Sequence, residues 1–454
     1  MTPAPQRAER FCYDGYTIDP NRGEVHCTYS TGGYSFTERY AFGPGGNWSD
    51  PAVEAAVRIL FLMAGVSYYK ARAARVIDLG PTTTTREERT FLAQYFVDGL
   101  GEFAYRNDLD LHEVSWIGLD TSDPQPCAYV PDGANPVRPL IPFGGGIDSI
   151  VTVSALREGS FDGALCVVHP PGEQFDAIED AATLTGLPVI RIARAIDPQV
   201  RRSERLGFFN GHVPVTAIIT AAAVVAAVLD RRDAVVLSNE WSASTPTLVH
   251  EGRPINHQWS KGSAFEEGFA HMVGQALGPQ LSVFSYLRNR SELWVAQQFA
   301  ELKEFHGVFR SCNRAFHQNP AERLGQWCGT CDKCCFIDLI LSPFIDAADL
   351  RDIFGGREPL DDARLEGRFV TLLGLAPDAR PFECVGDVGE CRAAVRLAAG
   401  RSDRQGDALL QSLRAVVDGA PAQGSFEATE LLAPIGSHRI PDRYAPPDLL
   451  VRAH

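Results

Sequence analysis

The residues of this sequence best suited to chemistry begin with a glycine-rich segment at residues 143–149, which reads FGGGIDS. An apolar run precedes it and a helical pattern follows, which predicts a strand, a tight turn and a helix. Glycines leave backbone N–H groups uncovered, and the start of a helix adds its own N–H groups and its positive dipole end. We therefore predict a phosphate-binding turn, with an ordinary glycine turn as the alternative. Its candidate residues are Phe143, Gly144, Gly145, Gly146, Asp148 and Ser149.

Four cysteines form a second group, with the spacing C-x15-C-x2-C-x2-C. They are Cys312, Cys328, Cys331 and Cys334. Structural zinc takes four such ligands in a tetrahedron, so the spacing predicts a possible Zn²⁺ site. Two alternatives stay open. The thiols could be buried core residues, or Cys331 and Cys334 could act as proton-transfer bases.

A third group lies between residues 238 and 266, where polar residues are dense after an apolar strand. His257 and Lys261 are candidate proton carriers or anion ligands, and Glu240 and Glu266 are candidates to hold Mg²⁺ or a ribose hydroxyl. A solvated loop is the alternative interpretation. The same stretch supplies further candidate substrate contacts, namely Asn239, Asn256 and Ser260.

Arginines form the fourth group, because two or three of them at one edge would suit an anionic substrate. Each one taken singly is better explained as a surface ion-pair residue. The candidates are Arg191, Arg194, Arg288, Arg290, Arg310 and Arg314.

Composition limits the class of protein. The chain has 454 residues, 45% of them hydrophobic, and a formal net charge of −15, which argues against a general nucleic-acid-binding surface. Its start lacks the apolar core of a secretory signal, and the apolar run at residues 213–229 is short for a membrane span. We therefore expect a cytoplasmic protein without a membrane partner. Eleven cysteines then indicate reduced thiols or a metal site rather than disulfides.

The elements that must position these residues follow from periodicity. Residues 11–42 alternate like two hairpins, Asp50-Pro51 and Thr85-x-x-Glu88 mark helix starts, and residues 121–138 read as a boundary. Beyond it, strands and helices alternate, which predicts a parallel sheet. Its carboxyl edge should carry the glycine turn, His169, Arg194 and residues 238–240. We expect an N-terminal α+β domain (1–130), a nucleotide-binding domain (136–310) and a helical, cysteine-rich C-terminal region (311–454).

The glycine segment resembles the Ser-Gly-Gly-x-Asp-Ser loop of the PP-loop ATP pyrophosphatases, with Gly144 in place of the serine. Together with residues 238–240, 255–261, 311–314, 327–334 and 381–384, it resembles the UDP-N-acetyl-α-D-muramoyl-L-alanyl-L-glutamate epimerase family. The resemblance covers most of the chain. It implies an α/β fold of the adenine nucleotide alpha hydrolase-like type, and a cytoplasmic enzyme of peptidoglycan biosynthesis that uses ATP and Mg²⁺.

In that family the terminal L-glutamate of a UDP-muramoyl dipeptide becomes D-glutamate, with release of AMP and pyrophosphate. The resemblance implies that Asp148 and Ser149 act in adenylation, with Asp148 as a possible Mg²⁺ ligand and His169 near the phosphates. His257, Lys261 and a cysteine of the cluster are then the candidate proton carriers. The implied substrate contacts are Arg194, Asn239, Glu240, Asn256, His257, Ser260, Lys261, Arg288 and Arg314.

Two other functions remain open at this level. One is a PP-loop ligase or thiolase acting on tRNA or a nucleobase, with a structural zinc. The other is a nucleotide-binding sensor without catalytic activity. The sequence indicates no oligomeric state.

Overall fold

The chain alternates strands and helices over most of its length. The computed structural model describes residues 4–118, 126–133, 137–157, 161–317, 319–376, 380–421 and 427–445. The strands are β1 (Arg10–Asp19), β2 (Glu24–Thr31), β3 (Tyr34–Ala41), β4 (Val76–Asp78), β5 (Ser115–Ile117), β6 (Pro139–Pro142), β7 (Ala164–His169), β8 (Val189–Ala195), β9 (Ala234–Leu237), β10 (Leu248–His250), β11 (Arg253–Ile255) and β12 (Ser282–Ser285).

Helices connect these strands and make up most of the chain after β12. They are α1 (Pro51–Ala64), α2 (Val66–Tyr69), α3 (Arg86–Gly99), α4 (Gly101–Arg106), α5 (Ile147–Leu156), α6 (Asp176–Thr185), α7 (Ser203–Leu206), α8 (Val215–Leu229), α9 (Ser263–Leu277), α10 (Glu292–Ala300), α11 (Asp332–Leu341), α12 (Ala347–Ile353), α13 (Glu366–Leu372), α14 (Val388–Ala399), α15 (Ala408–Gly419) and α16 (Ala428–Leu431).

One sheet of ten strands runs through the molecule in the order β12-β9-β6-β7-β8-β3-β2-β1-β4-β5. Five neighbouring strands, β12 to β8, are parallel, which confirms the predicted α/β class. The N-terminal meander β1-β2-β3 is antiparallel, and β3 continues the sheet by pairing antiparallel with β8. The sheet therefore crosses the predicted boundary at residues 121–138, of which residues 121–125 and 134–136 lie outside the described part. The division into domains stays a prediction.

Helices cover both faces of the sheet and create two hydrophobic cores. The first core packs α1, α8 and α9 against the sheet, and the second packs α5, α6 and α10 together with the C-terminal helices α11 and α14. The stretch Pro51–Tyr69 is long and apolar enough to cross a membrane, but 89% of its apolar window is buried inside the protein. It is therefore a central element of the first core.

A buried ion pair joins the antiparallel and parallel halves of the sheet. Arg194 on β8 donates from Nε to Oε1 of Glu38 on β3, at 2.5 Å, and also reaches Ser67 Oγ at 3.3 Å. Glu38 is fully buried, and the arginine side chain is only 9% exposed. The structure thus directs Arg194, a predicted substrate contact, into the sheet.

This pair yields a first prediction, because a buried charge without its partner is far more costly than no charge at all. Replacing Arg194→Met should lower the free energy of unfolding by ~3–5 kcal/mol, measured by urea denaturation. The double replacement Arg194→Met with Glu38→Leu should recover most of that loss. Arg191→Met is the matched control, because its pair with Glu179 is partly exposed and should contribute under ~1 kcal/mol. A double variant as unstable as the single one would contradict this explanation.

Candidate active site

The glycine turn connects β6 to α5, and its geometry depends on glycine. Gly145 has φ +71°, and a Cβ there would lie 2.4 Å from Ala177 O, whereas Gly144 faces open space. Gly146 is the N-cap of α5 and has no side chain that could accept a hydrogen bond. The first N–H groups of the helix therefore have no side-chain cap. The turn therefore has the uncovered N–H groups that a phosphate site needs.

The turn lies where the connections of the parallel sheet change direction. From β6 the chain winds through β7 to β8 with α5 and α6 on one face, then passes to β9 and β12 with α8 and α9 on the other face. The crevice between the carboxyl ends of β6 and β9 is the usual ligand position in such sheets. Asp148 approaches this crevice from the β6 side and Glu240 from the β9 side.

Three carboxylates meet there. Oxygens of Asp148, Glu240 and Glu292 lie within 4.8 Å of one another, and Glu292 is the first residue of α10. Burial, followed by the charge of Glu240, raises the pKa of Asp148 to about 7. Burial, followed by the charges of Asp148 and Glu240, raises the pKa of Glu292. Asp148 Oδ1 and Glu292 Oε2 are buried without a hydrogen-bond partner among the described residues, so the group fits a divalent cation with oxygen ligands.

A cysteine outside the cluster lies beside the predicted proton carriers. Burial would raise the pKa of the Cys384 thiol. The charge of Lys261, a hydrogen bond from His257 and the charge of Lys333 together outweigh burial and lower this pKa to about 6. Lys333 Nζ also donates to the Cys384 carbonyl. The neighbouring Glu383 is fixed by two hydrogen bonds from Asn313 Nδ2, at 2.7 and 2.8 Å. Because its pKa is lowered to about 6, the Cys384 thiol is a thiolate at neutral pH.

His257 connects this thiol to the N-terminal part of the chain. Its Nδ1 lies 2.5 Å from Oε2 of Glu102, on α4. Burial would lower the pKa of His257, but hydrogen bonds to Cys384 and Glu102 raise it to about 9. The ring of His212 packs on it with centroids 4.2 Å apart, and burial together with His257 lowers the pKa of His212 to about 4. The result is a Glu102–His257–Cys384 relay in which the imidazole is positively charged.

Arg288 fixes the loops that carry these groups. It donates from Nε to Glu266 at 2.9 Å, and its other nitrogens donate to the carbonyl oxygens of Glu240, at 2.8 Å, and Lys261, at 2.6 Å. Only 3% of Arg288 is exposed. The sequence predicts Arg288 as a substrate contact. In the structure its side chain instead contacts the protein itself and positions Glu240 and Lys261.

The remaining sequence candidates take several positions. Asn239 and Asn256 bond within the protein, to Ser285 Oγ at 3.1 Å and Ala243 O at 2.8 Å. Ser260 is buried next to Lys261, and Ser149 Oγ donates to Gly146 O at 3.0 Å. The structure does not place His169, Arg191, Arg194, Arg290, Arg310 or Arg314 in the carboxylate group or the relay.

The four clustered cysteines form a group of their own, apart from the members of the relay. Their sulfurs lie within 4.8 Å of one another, with Sγ–Sγ distances of 3.5 Å from Cys334 to both Cys328 and Cys331. Hydrogen bonds, first from Cys312, hold the pKa of Cys328 below its usual value. A tetrahedron of sulfurs about 2.3 Å from one ion has similar dimensions, so this donor set fits Zn²⁺. Cys331 and Cys334, which the sequence also offers as proton-transfer bases, are therefore two of the four sulfurs of this group.

Sequence reasoning missed four members of the site: Glu102, Glu292, Lys333 and Cys384. Cys384 was part of the family resemblance without a role, and its position inside Pro381-Phe382-Glu383-Cys384 contains no spacing typical of a catalytic thiol. The other three are charged residues at helix starts or on helices, which usually face solvent. Only the neighbours that folding gives them distinguish them: Glu102 lies beside His257, Glu292 beside Asp148 and Lys333 beside Cys384.

Comparisons with known proteins agree on one family. A family model described as the MurL N-terminal domain matches residues 2–286, and one described as the MurL C-terminal domain matches residues 308–427. A relative from Xanthomonas oryzae pv. oryzae is 39% identical over 86% of this chain and 84% of its own length. A Micromonospora relative is 37% identical, over 97% and 98%. Both are named UDP-N-acetyl-alpha-D-muramoyl-L-alanyl-L-glutamate epimerase, as is a Salinispora tropica relative at 36%.

A doubly wound sheet with buried acid–base groups at its switch point is the arrangement of an α/β enzyme, and the named relatives make the class an isomerase. The chain belongs to the UDP-N-acetyl-alpha-D-muramoyl-L-alanyl-L-glutamate epimerase family, as its sequence motifs predicted.

The cluster gives a second prediction. The protein purified without chelator should contain about one zinc per chain, and Cys328→Ser should lose most of it, because three thiolates hold zinc more weakly than four. Elemental analysis of the two proteins measures this. Cys127→Ser is the control, since Cys127 lies outside the cluster. Full zinc content in Cys328→Ser, or none in the unchanged protein, would contradict the assignment.

Proposed function

We propose that this protein is an ATP-dependent epimerase of peptidoglycan precursor synthesis. It converts UDP-MurNAc-L-Ala-L-Glu to UDP-MurNAc-L-Ala-D-Glu and releases AMP and pyrophosphate. The observation that carries the proposal is the meeting of an uncapped glycine turn, a cation-binding carboxylate group and a thiolate–imidazolium pair at one edge of the sheet. The names of the relatives supply the substrate.

The chemistry explains why the first two features belong together. An α-proton beside a carboxylate is very weakly acidic, because its removal creates a second negative charge next to that of the carboxylate. Adenylation of that carboxylate removes its charge, so that the carbanion can spread onto the carbonyl as an enolate. The N–H groups of Gly145 and Gly146 bind the phosphates. Asp148, Glu240 and Glu292 would hold Mg²⁺, which would supply positive charge close to the phosphate oxygens.

The thiolate–imidazolium pair then performs the proton transfer. Cys384 takes the α-proton of the adenylated glutamate and becomes a thiol. Protonated Lys261 or His257 returns a proton to the opposite face of the carbon, which inverts the centre. Glu102 holds His257 in the orientation that faces the sulfur. Hydrolysis of the adenylate by water releases AMP and the D-glutamate product.

A third prediction separates the two halves of the reaction. Asp148→Asn should abolish pyrophosphate release, because adenylation loses its cation site. Cys384→Ala should retain pyrophosphate release but lose ~100-fold or more of deuterium incorporation at the glutamate α-carbon in heavy water, in keeping with the loss of a general base. Pyrophosphate assay and mass spectrometry of the dipeptide measure the two steps.

Cys12→Ser is the matched control, because Cys12 lies on β1 outside both cysteine sites, and it should change neither step. Normal deuterium incorporation in Cys384→Ala would remove the thiol from the mechanism. Normal epimerisation by Asp148→Asn would remove adenylation.

A fourth prediction concerns pH. The competent form has Cys384 deprotonated and His257 protonated, so kcat/KM should rise as pH passes about 6 and fall as it passes about 9. In His257→Gln the thiol loses a cationic neighbour, so its pKa rises and the acidic limb should move to higher pH. Initial rates between pH 5 and about 10 measure the profile. An acidic limb unmoved by His257→Gln would show that the two groups are not paired.

A further inference from the structure

A second cavity opens along the same edge of the sheet, beyond the glycine turn. Its volume is ≈ 780 Å³, within the usual range for small-molecule sites. It lies beside the ends of β7 and β8, where Pro170 and Ile196 line it, and α7 with the preceding turn forms another wall. The residues of the carboxylate group and of the relay do not line it.

The walls of this cavity are basic in a protein whose net charge is −15. They contain one acidic residue, Glu204, against six basic ones: Lys70, Arg194, Arg201, Arg202, Arg205 and Arg323. A concentration of positive charge in a concave, partly dry space attracts anions strongly. Since the protein as a whole is negatively charged, the positive charge of this cavity sets it apart as a place for anions.

Three of these cations have no side-chain hydrogen bond or ion pair to any residue that the structure describes. Arg194 and Arg323 pair with Glu38 and Glu173. Arg201, Arg202 and Arg205, by contrast, have neither a hydrogen bond nor an ion pair from their side chains within the described ranges, and all three are exposed. They belong to one short segment, which places three guanidinium groups around one space. Each can bind two oxygens of a phosphate at once.

The cavity also adjoins the proton-transfer relay. Asn210 and Val213 line it, and His212 between them packs on His257. Lys70 Nζ donates to Gly211 O at 3.2 Å, and burial lowers the pKa of Lys70 to about 8. Since β8 lies two strands from β6, the cavity and the glycine turn are roughly 10 Å apart along the edge. A long substrate bound in the cavity can therefore reach the active site beside the turn.

We propose that Arg201, Arg202 and Arg205 bind the diphosphate of the nucleotide-sugar substrate, so that this cavity holds the UDP portion while the glutamate reaches Cys384. The assignment rests on the proposed function. Phe175 and Phe316, with ring centroids 5.7 Å apart, provide an apolar wall against which a pyrimidine can pack. The ATP site at the glycine turn remains separate.

The test, a fifth prediction, compares the unchanged full-length protein with the double variant Arg201→Gln, Arg205→Gln. Calorimetric titration with UDP should show binding to the unchanged protein and at least ~10-fold weaker binding to the variant, because each charge-assisted hydrogen bond is worth about that factor. The KM for the UDP-dipeptide should rise by a similar factor, and the KM for ATP by less than ~3-fold. Arg364→Gln is the control, since Arg364 pairs with Asp362 on an exposed turn.

Three results would overturn the assignment: no UDP binding to the unchanged protein, unaltered UDP affinity in the double variant, or competition between UDP and ATP for one site. The proposed function fails separately, if the unchanged protein consumes no ATP in the presence of the UDP-dipeptide. The UDP titration needs no turnover, so it decides on the cavity in either case.

Discussion

The cost of burying charge governs this site. Three carboxylates converge within 4.8 Å of one another, with Glu240 and Glu292 buried and Asp148 half-buried. Such a group is stable only when cations balance it. Lys261 and Lys333 provide part of that balance, and the same two ammonium groups stabilise the Cys384 thiolate. Carboxylates and thiolate therefore share one set of cations, so the two groups depend on each other electrostatically.

The helical C-terminal region completes the site on the sheet. Lys333 lies on the first turn of α11, between Cys331 and Cys334, so a metal in the cysteine cluster would fix the direction of its side chain. Gln258 Nε2 donates to Val385 O at 3.2 Å, and the Glu292 N–H donates to Glu390 Oε1 at 2.9 Å. These bonds hold the Cys384 segment against the loops that follow β9 and β12. The cysteine cluster thus acts on this site through the position of Lys333.

Local sequence signals predicted the elements well, because they depend on neighbours in the chain. The capping box at Thr85, the two hairpins of residues 11–42 and the glycine turn all form where periodicity and caps placed them. The pairing of β3 with β8 was missed, since no local pattern shows which strand edges meet. Cys384 was missed for the same reason. Its low pKa comes from Lys261 and His257, which are distant in sequence, and the clustered cysteines offered a stronger pattern.

Joining the N-terminal strands to the parallel sheet has a functional consequence. The first core packs the N-terminal helices against α8 and α9, and this brings Glu102 to within 2.5 Å of His257. In the proposed mechanism, the parallel sheet alone would activate a carboxylate and stop there. The N-terminal part adds the carboxylate that orients the imidazole, and the C-terminal part adds the thiol. Epimerase chemistry therefore comes from regions on both sides of the sheet, in keeping with functions that are added to folds rather than implied by them.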